Sequence, residues 1–456
     1  HDTSAICSYL MTTTLRWQNN MHASTVYIFD RRGETVWYSQ GEENYFDFKV
    51  HPDGRFSYSW FNARILLNAD FTPFDTLECI GLQSDPHDFI ITEDGHYFMM
   101  CFEDSIVDMS AYSTYPDGEP GSTGASLRSC VIQEVDADSG LVKSWHGRAH
   151  FGLDDIEPRF LTSRFWAELN HANSMDLNEA GQLLLSFRAN HEISLVDWET
   201  GEMIWRLGGA NNEFAHPNDD GTYAQHDARF LSGNRISVFD NGNFAMPPAS
   251  RSVIYALDTA ARIAHVETSY PQAFYAEAMG SFRVQDNGDV VVGTGLHGVP
   301  GNHANIRYMR GDGSPVLDIT LAENNWVYRA VCDELPFLPE RPQIQCDTFA
   351  GQARLSLPET HAQYLWNTLD TLATLTVKSI GEYQVFVPQG VGMIGSPVFV
   401  VDNLEDPCTR KMPNTPPSQV VAYYDLLGRR ISGPKAGVVF IELYDNGDVK
   451  RRFIHR

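Results

Sequence analysis

The sequence has few basic residues, no metal-binding cysteine motif and no long apolar segment. Lys and Arg number 33 against 59 Asp and Glu, which gives a formal net charge of -26. That balance argues against a nucleic-acid partner, because such a protein needs a basic surface. No apolar run approaches the length of a membrane span. The seven cysteines lack CxxC spacing, so a structural zinc site is not expected.

The cysteines still bear on where the protein works. Their odd number leaves at least one thiol unpaired. Cys332 and Cys346 flank a proline-rich stretch, and we expect this pair to close a loop if the protein is exported.

Short β-rich segments bounded by Asp, Asn or Gly make up most of the chain, and long stretches with helical periodicity and caps are missing. Two hairpin forms repeat, one turning on a glycine and one running from Asp through Gly to a tryptophan (Trp37, Trp145, Trp205). The pair recurs about every 40–50 residues, as expected of β-propeller blades packed through those tryptophans. The sequence therefore predicts an all-β fold with a six-bladed β-propeller over residues 1–335.

Composition changes after Pro336, where a proline-rich linker begins. Alternating strand patterns over 344–402 predict a small β-sandwich. A second proline-rich linker leads to a basic C-terminal module at 420–456.

Polar residues return at the same phase of the glycine hairpins. Eight residues before Gly54, Gly95 and Gly181 lie Phe46, His87 and Asn173, His171 lies two residues before Asn173, and His226 lies seven before Gly233. Side chains two apart on a strand share a face, and the innermost strands of a propeller line its central channel. We therefore expect these histidines and Asn173 to converge on one pocket.

The residues leave three classes of function open. Arg188 ends an apolar run, and a buried cation in an acidic protein favours an anionic ligand. Three histidines and an asparagine could instead hold a divalent metal in a lyase or hydrolase. A ligand-binding propeller without catalysis is the third possibility.

Several segments resemble the arylsulfate sulfotransferases and occur in that family's order. They are Asp85-Pro-His-Asp-Phe, His171-Ala-Asn-Ser-Met-Asp, Ser186-Phe-Arg-Ala-Asn-His-Glu-Ile, Thr200-Gly-Glu-Met-Ile-Trp-Arg-Leu-Gly-Gly, Gln225-His-Asp-Ala-Arg, Phe239-Asp-Asn-Gly and Ser250-Arg251. The resemblance implies a six-bladed propeller that moves a sulfuryl group from a phenolic sulfate donor to a phenol acceptor. It implies no nucleotide donor, no cofactor and no metal.

The same resemblance implies roles for five residues. His226 matches the nucleophile that becomes sulfated. An enzyme that works through such an intermediate would follow ping-pong kinetics. His87, His171, Asn173 and Arg188 match the other active-site positions. We expect His171 or His87 to donate the proton that the leaving phenol takes, Arg188 and Asn173 to hold the sulfuryl oxygens, and Asp227 to orient His226.

The C-terminal part resembles a different kind of module. Val421-Ala-Tyr-Tyr-Asp-Leu-Leu-Gly-Arg-Arg-Ile and Gly437-Val-Val-Phe-Ile-Glu-Leu-Tyr-Asp-Asn-Gly are similar to a type IX secretion sorting domain. Residues 344–402 resemble the immunoglobulin-like modules that precede such domains. Together they imply recognition by an export machinery, passage through the periplasm, and a secreted or cell-surface protein.

Overall fold

The fold was obtained as a computed structural model. It describes residues 7–18, 21–60, 62–297, 304–321, 325–335, 337–349, 352–405 and 407–408, and four strands beyond residue 419. The all-β prediction is confirmed, since these residues contain β-strands and short 3₁₀ turns but no α-helix. No helix in this part of the chain is long and apolar enough to cross a membrane.

The described residues of the first half of the chain form sixteen strands. They are β1 (Tyr9–Gln18), β2 (Met21–Asp30), β3 (Thr35–Gly41), β4 (Tyr45–Val50), β5 (Phe56–Trp60), β6 (Ala63–Leu67), β7 (Pro73–Leu77), β8 (Gln83–Ile91), β9 (Tyr97–Val107), β10 (Ala125–Asp136), β11 (Gly140–His146), β12 (Trp166–Glu168), β13 (Ala172–Leu177), β14 (Gln182–Phe187), β15 (Glu192–Asp197) and β16 (Met203–Gly208). The 3₁₀ turns are Gly147–Ala149, Leu153–Asp155, Pro158–Phe160 and Arg188–Asn190.

The second half continues in the same style. Its strands are β17 (His226–Leu231), β18 (Arg235–Asp240), β19 (Arg251–Asp258), β20 (Ile263–Pro271), β21 (Ala276–Ala278), β22 (Ser281–Val284), β23 (Val290–Gly293), β24 (Leu296–His297), β25 (Ile306–Met309), β26 (Pro315–Ile319), β27 (Asn325–Asp333), β28 (Gln345–Phe349), β29 (Gln352–Ser356), β30 (Leu365–Trp366), β31 (Thr374–Thr376), β32 (Gly381–Tyr383), β33 (Val385–Gln389), β34 (Gly392–Gly395), β35 (Phe399–Val401), β36 (Val420–Tyr424), β37 (Arg430–Ile431), β38 (Val439–Tyr444) and β39 (Val449–Phe453).

Successive antiparallel sheets follow one another along the chain. Four of them have the strand orders β4-β5-β6-β7, β13-β14-β15-β16, β17-β18-β19-β20 and β22-β23-β25-β26. A fifth has the order β11-β10-β9-β8, with β12 pairing in parallel on β10. A sixth sheet joins the two ends of this region, because β27 pairs with β1, which continues into β2 and β3. The short strands β21 and β24 pair with each other in a further two-stranded sheet.

The first strands of these sheets form a closed ring of contacts. In order, β4, β8, β13, β17, β22 and β27 each pack on the next, and β27 packs on β4. Their buried residues form clusters between neighbouring sheets, for example Leu184, Ile193 and Trp205 with Val238 and Tyr255. The ring brings one end of every inner strand to a common centre.

Two features predicted from the hairpin pattern are confirmed. Gly54, Gly95, Gly181 and Gly233 all have positive φ angles, between 71° and 89°, which these tight turns require. The three repeat tryptophans are buried, with exposed fractions of 0% for Trp37 and 3% for Trp145 and Trp205.

Some of the strands after residue 344 pair with the first sheet. β34 pairs with β3, so β34, β33 and β30 extend the first sheet outward. The side chains of Trp37 and Trp366 share one buried cluster, and Trp37 Nε1 donates to the Gln389 carbonyl at 3.1 Å. β28, β29 and β31 form a separate three-stranded sheet, and β32 pairs with β35. This region is therefore anchored on the outer edge of the first sheet.

The expected loop between Cys332 and Cys346 is wrong. The structure pairs Cys7 with Cys332, Cys79 with Cys101 and Cys346 with Cys408, and it leaves Cys130 as a buried thiol. The first disulfide links β27 to the residues that precede β1, and so fastens the seam where the ring closes. Sequence spacing could not find this pair, because the ends meet only through the closed topology.

The four strands beyond residue 419 form a small sheet in the order β37-β36-β38-β39. The proposed sorting domain at 420–456 also depends on residues 425–429, 432–438, 445–448 and 454–456, which lie outside the described residues. Its assignment stays a prediction.

Candidate active site

The structure brings three of the five predicted residues onto neighbouring inner strands. His87 lies in β8, Asn173 in β13, and His226 begins β17. His171 directly precedes β13 in a left-handed backbone conformation, with φ of 47°. Arg188 begins the 3₁₀ turn after β14, and its backbone N–H donates to the His171 carbonyl at 3.0 Å.

Irregularities in strand pairing turn these side chains toward the centre. Register shifts fall between Ser84 and Phe89, between Ala172 and Ser174, and between His226 and Arg229. A β-bulge leaves an extra residue unpaired and re-aims its side chain, which explains why polar groups leave the pleat here. The chain pairs regularly again within a few residues of each bulge.

The three imidazoles form one cluster. The ring centres of His87 and His171 lie 5.0 Å apart, and those of His87 and His226 lie 6.4 Å apart. Tyr328 from β27 stands over His226 with 5.3 Å between ring centres, and its hydroxyl donates to the His87 carbonyl at 2.9 Å. Hairpin phase therefore predicted correctly that the histidines meet.

His226 is held as a neutral imidazole. It is 2% exposed, and its Nδ1 lies 2.6 Å from the Gly280 carbonyl oxygen. A carbonyl only accepts, so Nδ1 must carry the proton and Nε2 keeps a lone pair. Burial, reinforced by the nearby charge of Arg329, lowers the pKa of His226 well below its usual 6.5. The ring thus presents an unprotonated nitrogen in a dry site.

The expectation that Asp227 orients His226 by direct contact does not match this geometry. Gly280 holds the imidazole, whereas the Asp227 carboxylate pairs with Arg229 at 2.8 Å and with Arg283 at 2.8 Å. Asp227 has a φ of 59°, and its bulged backbone turns the carboxylate away toward these cations.

The other two histidines are held by carboxylates. Asp85 Oδ1 accepts from Nδ1 of His87 at 2.5 Å, and Glu168 Oε2 accepts from Nδ1 of His171 at 2.6 Å. Burial would raise the pKa of Glu168, but the imidazoles of His171 and His87 outweigh it and leave that pKa below its usual value. Because each carboxylate takes the Nδ1 side of its ring, the Nε2 of both imidazoles remains for another partner.

Asn173 is fully buried beside His226. Its Nδ2 donates to the Gln225 carbonyl at 2.7 Å, while its Oδ1 has no partner among the described residues. Because a primary amide carries two protons, Gln225 takes one and the second remains for another acceptor. Asn173 therefore also fixes the backbone from which His226 projects.

Arg188 lies at the edge of the cluster. Its guanidinium donates to the Glu277 carbonyl at 3.0 Å and stands 4.6 Å from the ring centre of Phe160. Its Nε is buried without a hydrogen-bond partner in the described part of the chain, and burial lowers its pKa. A desolvated guanidinium with an unused N–H is suited to an anionic group.

A layer of ion pairs lies beneath the histidines. Arg329 Nη1 lies 2.5 Å from Asp47 and 3.4 Å from Asp88, and Arg329 Nε lies 3.1 Å from Asp227. Arg229 and Lys49 each lie 2.6 Å from Asp88. We call Lys49, Asp47, Asp88, Asp227, Arg229, Arg283 and Arg329 the charged floor. We call His87, His171, His226, Asn173 and Arg188 the histidine layer. The charged floor contacts this layer directly, since Arg329 donates to the Asn173 carbonyl.

A comparison with known protein families identifies the chain. The model of the Arylsulfotransferase (ASST) family matches residues 7–329, a span that contains all five candidate residues and the charged floor. The chain belongs to the arylsulfotransferase family. At family level its activity is therefore aryl sulfotransfer.

Curated proteins offered no match to this arylsulfotransferase. Among solved structures it is similar to a protein of unknown function from Bacteroides caccae, with 11% identity, 71% of this chain and 98% of that chain covered, and a TM-score of 0.45. It is also similar to a catalytically inactive virginiamycin B lyase from Staphylococcus aureus, solved with quinupristin. The two are 8% identical, with 81% of this chain and 96% of that chain covered and a TM-score of 0.35. A streptogramin B lyase is 11% identical, with 78% of this chain and 94% of that chain covered and a TM-score of 0.35.

Sequence reasoning missed several groups of the arylsulfotransferase site. Tyr328 and Arg329 lie on β27, which pairs with β1 from the opposite end of the chain, so no turn glycine follows them from which to count. Gly280 does lie eight residues before Gly288, and this repeat phase could have found it. Glu168 lies on a three-residue strand outside the repeated hairpins and left no such signal.

Proposed function

We propose that this arylsulfotransferase moves a sulfuryl group from a phenolic sulfate ester to an acceptor phenol, through a histidine sulfated on His226 and without a nucleotide donor. The observation that carries the proposal is the state of His226. Its Nδ1 proton is committed to the Gly280 carbonyl, and its Nε2 stays unprotonated in a buried cluster. A neutral, desolvated imidazole is a competent nucleophile toward sulfur.

In the first half-reaction, Nε2 of His226 attacks sulfur opposite the departing phenol. An N–S bond forms as the S–O bond breaks, and the electron pair leaves on the phenol oxygen. That phenol has a pKa of about 10, so it leaves better when a neighbouring imidazolium protonates it. In the second half-reaction an acceptor phenol gives its proton to the same neighbouring imidazole, its oxygen attacks sulfur as the N–S bond breaks, and neutral His226 is restored. The order of events is ping-pong.

Arg188 and Asn173 are proposed to hold the sulfuryl oxygens. Each side chain keeps unused hydrogen-bonding capacity in the buried site, as the Arg188 Nε and the second amide proton of Asn173 indicate. Donors that need no reorganisation stabilise charge best on the oxygens of a group in transfer.

The same proposal includes the architecture and location. We propose that the six sheets around the ring of inner strands are blades of a six-bladed propeller over 1–335, followed by an immunoglobulin-like sandwich at 344–402 and a type IX sorting domain at 420–456. Three disulfides support export through the periplasm to the surface or medium, because such bonds persist in oxidising compartments. Alkylation of the denatured, unreduced protein should modify Cys130 alone, and modification of further cysteines would count against export.

Steady-state kinetics test the reaction. We expect the purified chain to form phenyl sulfate from 4-nitrophenyl sulfate and phenol with no added nucleotide. Double-reciprocal plots at several phenol concentrations should be parallel, as ping-pong turnover requires. Intersecting lines would contradict a covalent intermediate, and activity that requires a nucleotide would contradict the class.

The assay also separates the metal-dependent alternative. Among the described residues, no group of three or more His, Cys, Asp or Glu side chains is arranged to hold a metal ion. Transfer should therefore continue after EDTA treatment and dialysis. Loss of transfer that a divalent metal restores would favour the lyase or hydrolase alternative instead.

A further inference from the structure

Two carboxylates hold His87 and His171 in different ways. Asp85 is 1% exposed and accepts both the backbone N–H of His87, at 2.9 Å, and its Nδ1–H, at 2.5 Å. This double contact within one turn locks the ring. Glu168 approaches His171 from a separate strand, β12, and touches only its ring. His171 is also the more exposed imidazole, with 27% of its side chain accessible against 18% for His87.

We propose that Glu168 is the positioning residue that makes His171 the proton carrier for both phenols, while Asp85 holds His87 as a hydrogen-bond donor to the sulfuryl group. The inference rests on the proposed sulfuryl transfer and chooses between the two imidazoles that the transfer leaves open. His87 lies beside His226, where the sulfuryl group must sit. His171 lies 5.0 Å from His87 between ring centres and is the more exposed of the two rings.

The charges around His171 give Glu168 its importance. His87 faces the ring from β8, and Arg188 faces Glu168 from the turn after β14. The positive charge of Arg128, on β10, also lowers the pKa of Glu168. The Nε of Arg128 lies 2.9 Å from the carboxylate of Asp104. Glu168 is the carboxylate hydrogen-bonded to the ring of His171, whereas Asp85, the carboxylate on β8, is bound to His87. Glu168 is therefore the group that fixes the orientation of the His171 ring.

The proton balance closes over one turnover. Nε2–H of protonated His171 gives its proton to the departing phenolate oxygen, so the donor leaves as a neutral phenol. Neutral His171 then takes the proton of the acceptor phenol as that oxygen attacks sulfur. Throughout, Nδ1–H of His171 stays hydrogen-bonded to Glu168, which keeps Nε2 facing the reacting oxygen. No other reactant is consumed.

Donors with different leaving phenols test the assignment. In Glu168→Gln, kcat/KM for phenyl sulfate should fall about 10²–10³-fold, because its poorly acidic phenol needs the proton. For 4-nitrophenyl sulfate the fall should be below about 5-fold, since that phenolate leaves unaided. Glu168→Asp should restore part of the rate.

Two further variants separate this role from a structural one. Asp85→Asn should slow both donors by a similar factor, since it disturbs a contact to the sulfuryl group rather than proton transfer. Glu103→Gln, which alters a surface pair with His146 at 3.3 Å, should change neither. A uniform loss in Glu168→Gln, or a leaving-group-dependent loss in Asp85→Asn, would overturn the assignment. Sulfation of His226 in Glu168→Gln would show that the proposed function itself stands.

Discussion

The histidine layer and the charged floor beneath it differ in how completely their polar groups are satisfied. In the floor, each carboxylate of Asp47, Asp88 and Asp227 lies within 2.8 Å of at least one cation. Asp47 Oδ2 and Arg329 Nε lack a hydrogen bond there, but each lies against an opposite charge, at 2.8 Å and 3.1 Å. In the histidine layer, Asn173 Oδ1 and Arg188 Nε are buried without partners in the described part of the chain. A native protein rarely leaves buried polar atoms unpaired, and exceptions often mark function.

The difference teaches which layer supports the fold and which layer is left for substrate. Burial opposes ionisation of Asp88, but Arg229, Arg329 and Lys49 outweigh it and hold its pKa well below the usual value, so the floor stays ionised. Two neighbouring residues of β27 connect this ionised floor to the histidine layer. Arg329 donates to the carbonyl of Asn173, and the hydroxyl of Tyr328 donates to the carbonyl of His87. Substitutions in the floor should therefore act on stability, and substitutions in the histidine layer should act on rate.

The largest effect is expected at His226. His226→Asn should lower transfer from 4-nitrophenyl sulfate to phenol by more than about 10⁴-fold, because the nucleophile is gone. Its unfolding midpoint should stay close to that of the unaltered protein. His146→Gln, which changes a surface histidine with 42% of its side chain exposed, provides the matched control. Substantial transfer by His226→Asn would remove His226 from the chemistry.

Arg329 should give the largest effect on stability. Arg329→Met removes the partner of three buried carboxylates, and breaking a buried ion pair costs about 3–5 kcal/mol. Denaturant unfolding measures the change. Arg354→Met breaks the exposed pair with Asp347 and should cost less than about 1 kcal/mol. Equal stability of the two variants would contradict the role assigned to the floor.

Arg188 should behave in the opposite sense to Arg329. Arg188→Ala should lower kcat/KM about 10²–10³-fold, the loss typical of one electrostatic donor to developing charge. Its stability should change much less than that of Arg329→Met, because the Arg188 side chain contacts one carbonyl and one aromatic ring. A variant that unfolds easily but keeps its rate would place Arg188 in the supporting layer.

The smallest effect concerns pH. Because burial lowers the pKa of His226 well below 6.5, the imidazole stays neutral at pH values both above and just below 6.5. The burst of 4-nitrophenolate in the first half-reaction should therefore change less than about 2-fold between pH 8 and pH 6. Rapid quenching gives the burst rate. A fall with a midpoint near 6.5 would show that His226 titrates like an exposed histidine.

Much of the fold follows from local signals in the sequence. Strand composition and turn glycines predicted the hairpins, and hairpin phase predicted that His87, Asn173 and His226 meet. Those signals work because each glycine turn fixes its strands by a contact between near neighbours. The alternating pattern also gave strands after residue 344, but not the pairing of β34 with β3.

The rest of the site depends on contacts that local patterns do not encode. The bulges that turn Asp227 away from His226 change register by backbone conformation, without a distinctive residue. Arg329 reaches Asp47 across 282 positions of sequence, and only the closed ring of inner strands brings these two residues together. Glu168 lies just three positions before His171, but on a strand outside the repeated hairpins, so hairpin phase gave no sign of it.

The central claim is that His226 carries the sulfuryl group between donor and acceptor. Intact mass spectrometry after incubation with 4-nitrophenyl sulfate, without acceptor, tests it most directly when peptide mapping at alkaline pH follows. The account predicts a gain of one sulfuryl group on the peptide that contains His226, and its loss when phenol is added. Turnover with no sulfated protein, or a sulfuryl group on another residue, would contradict it.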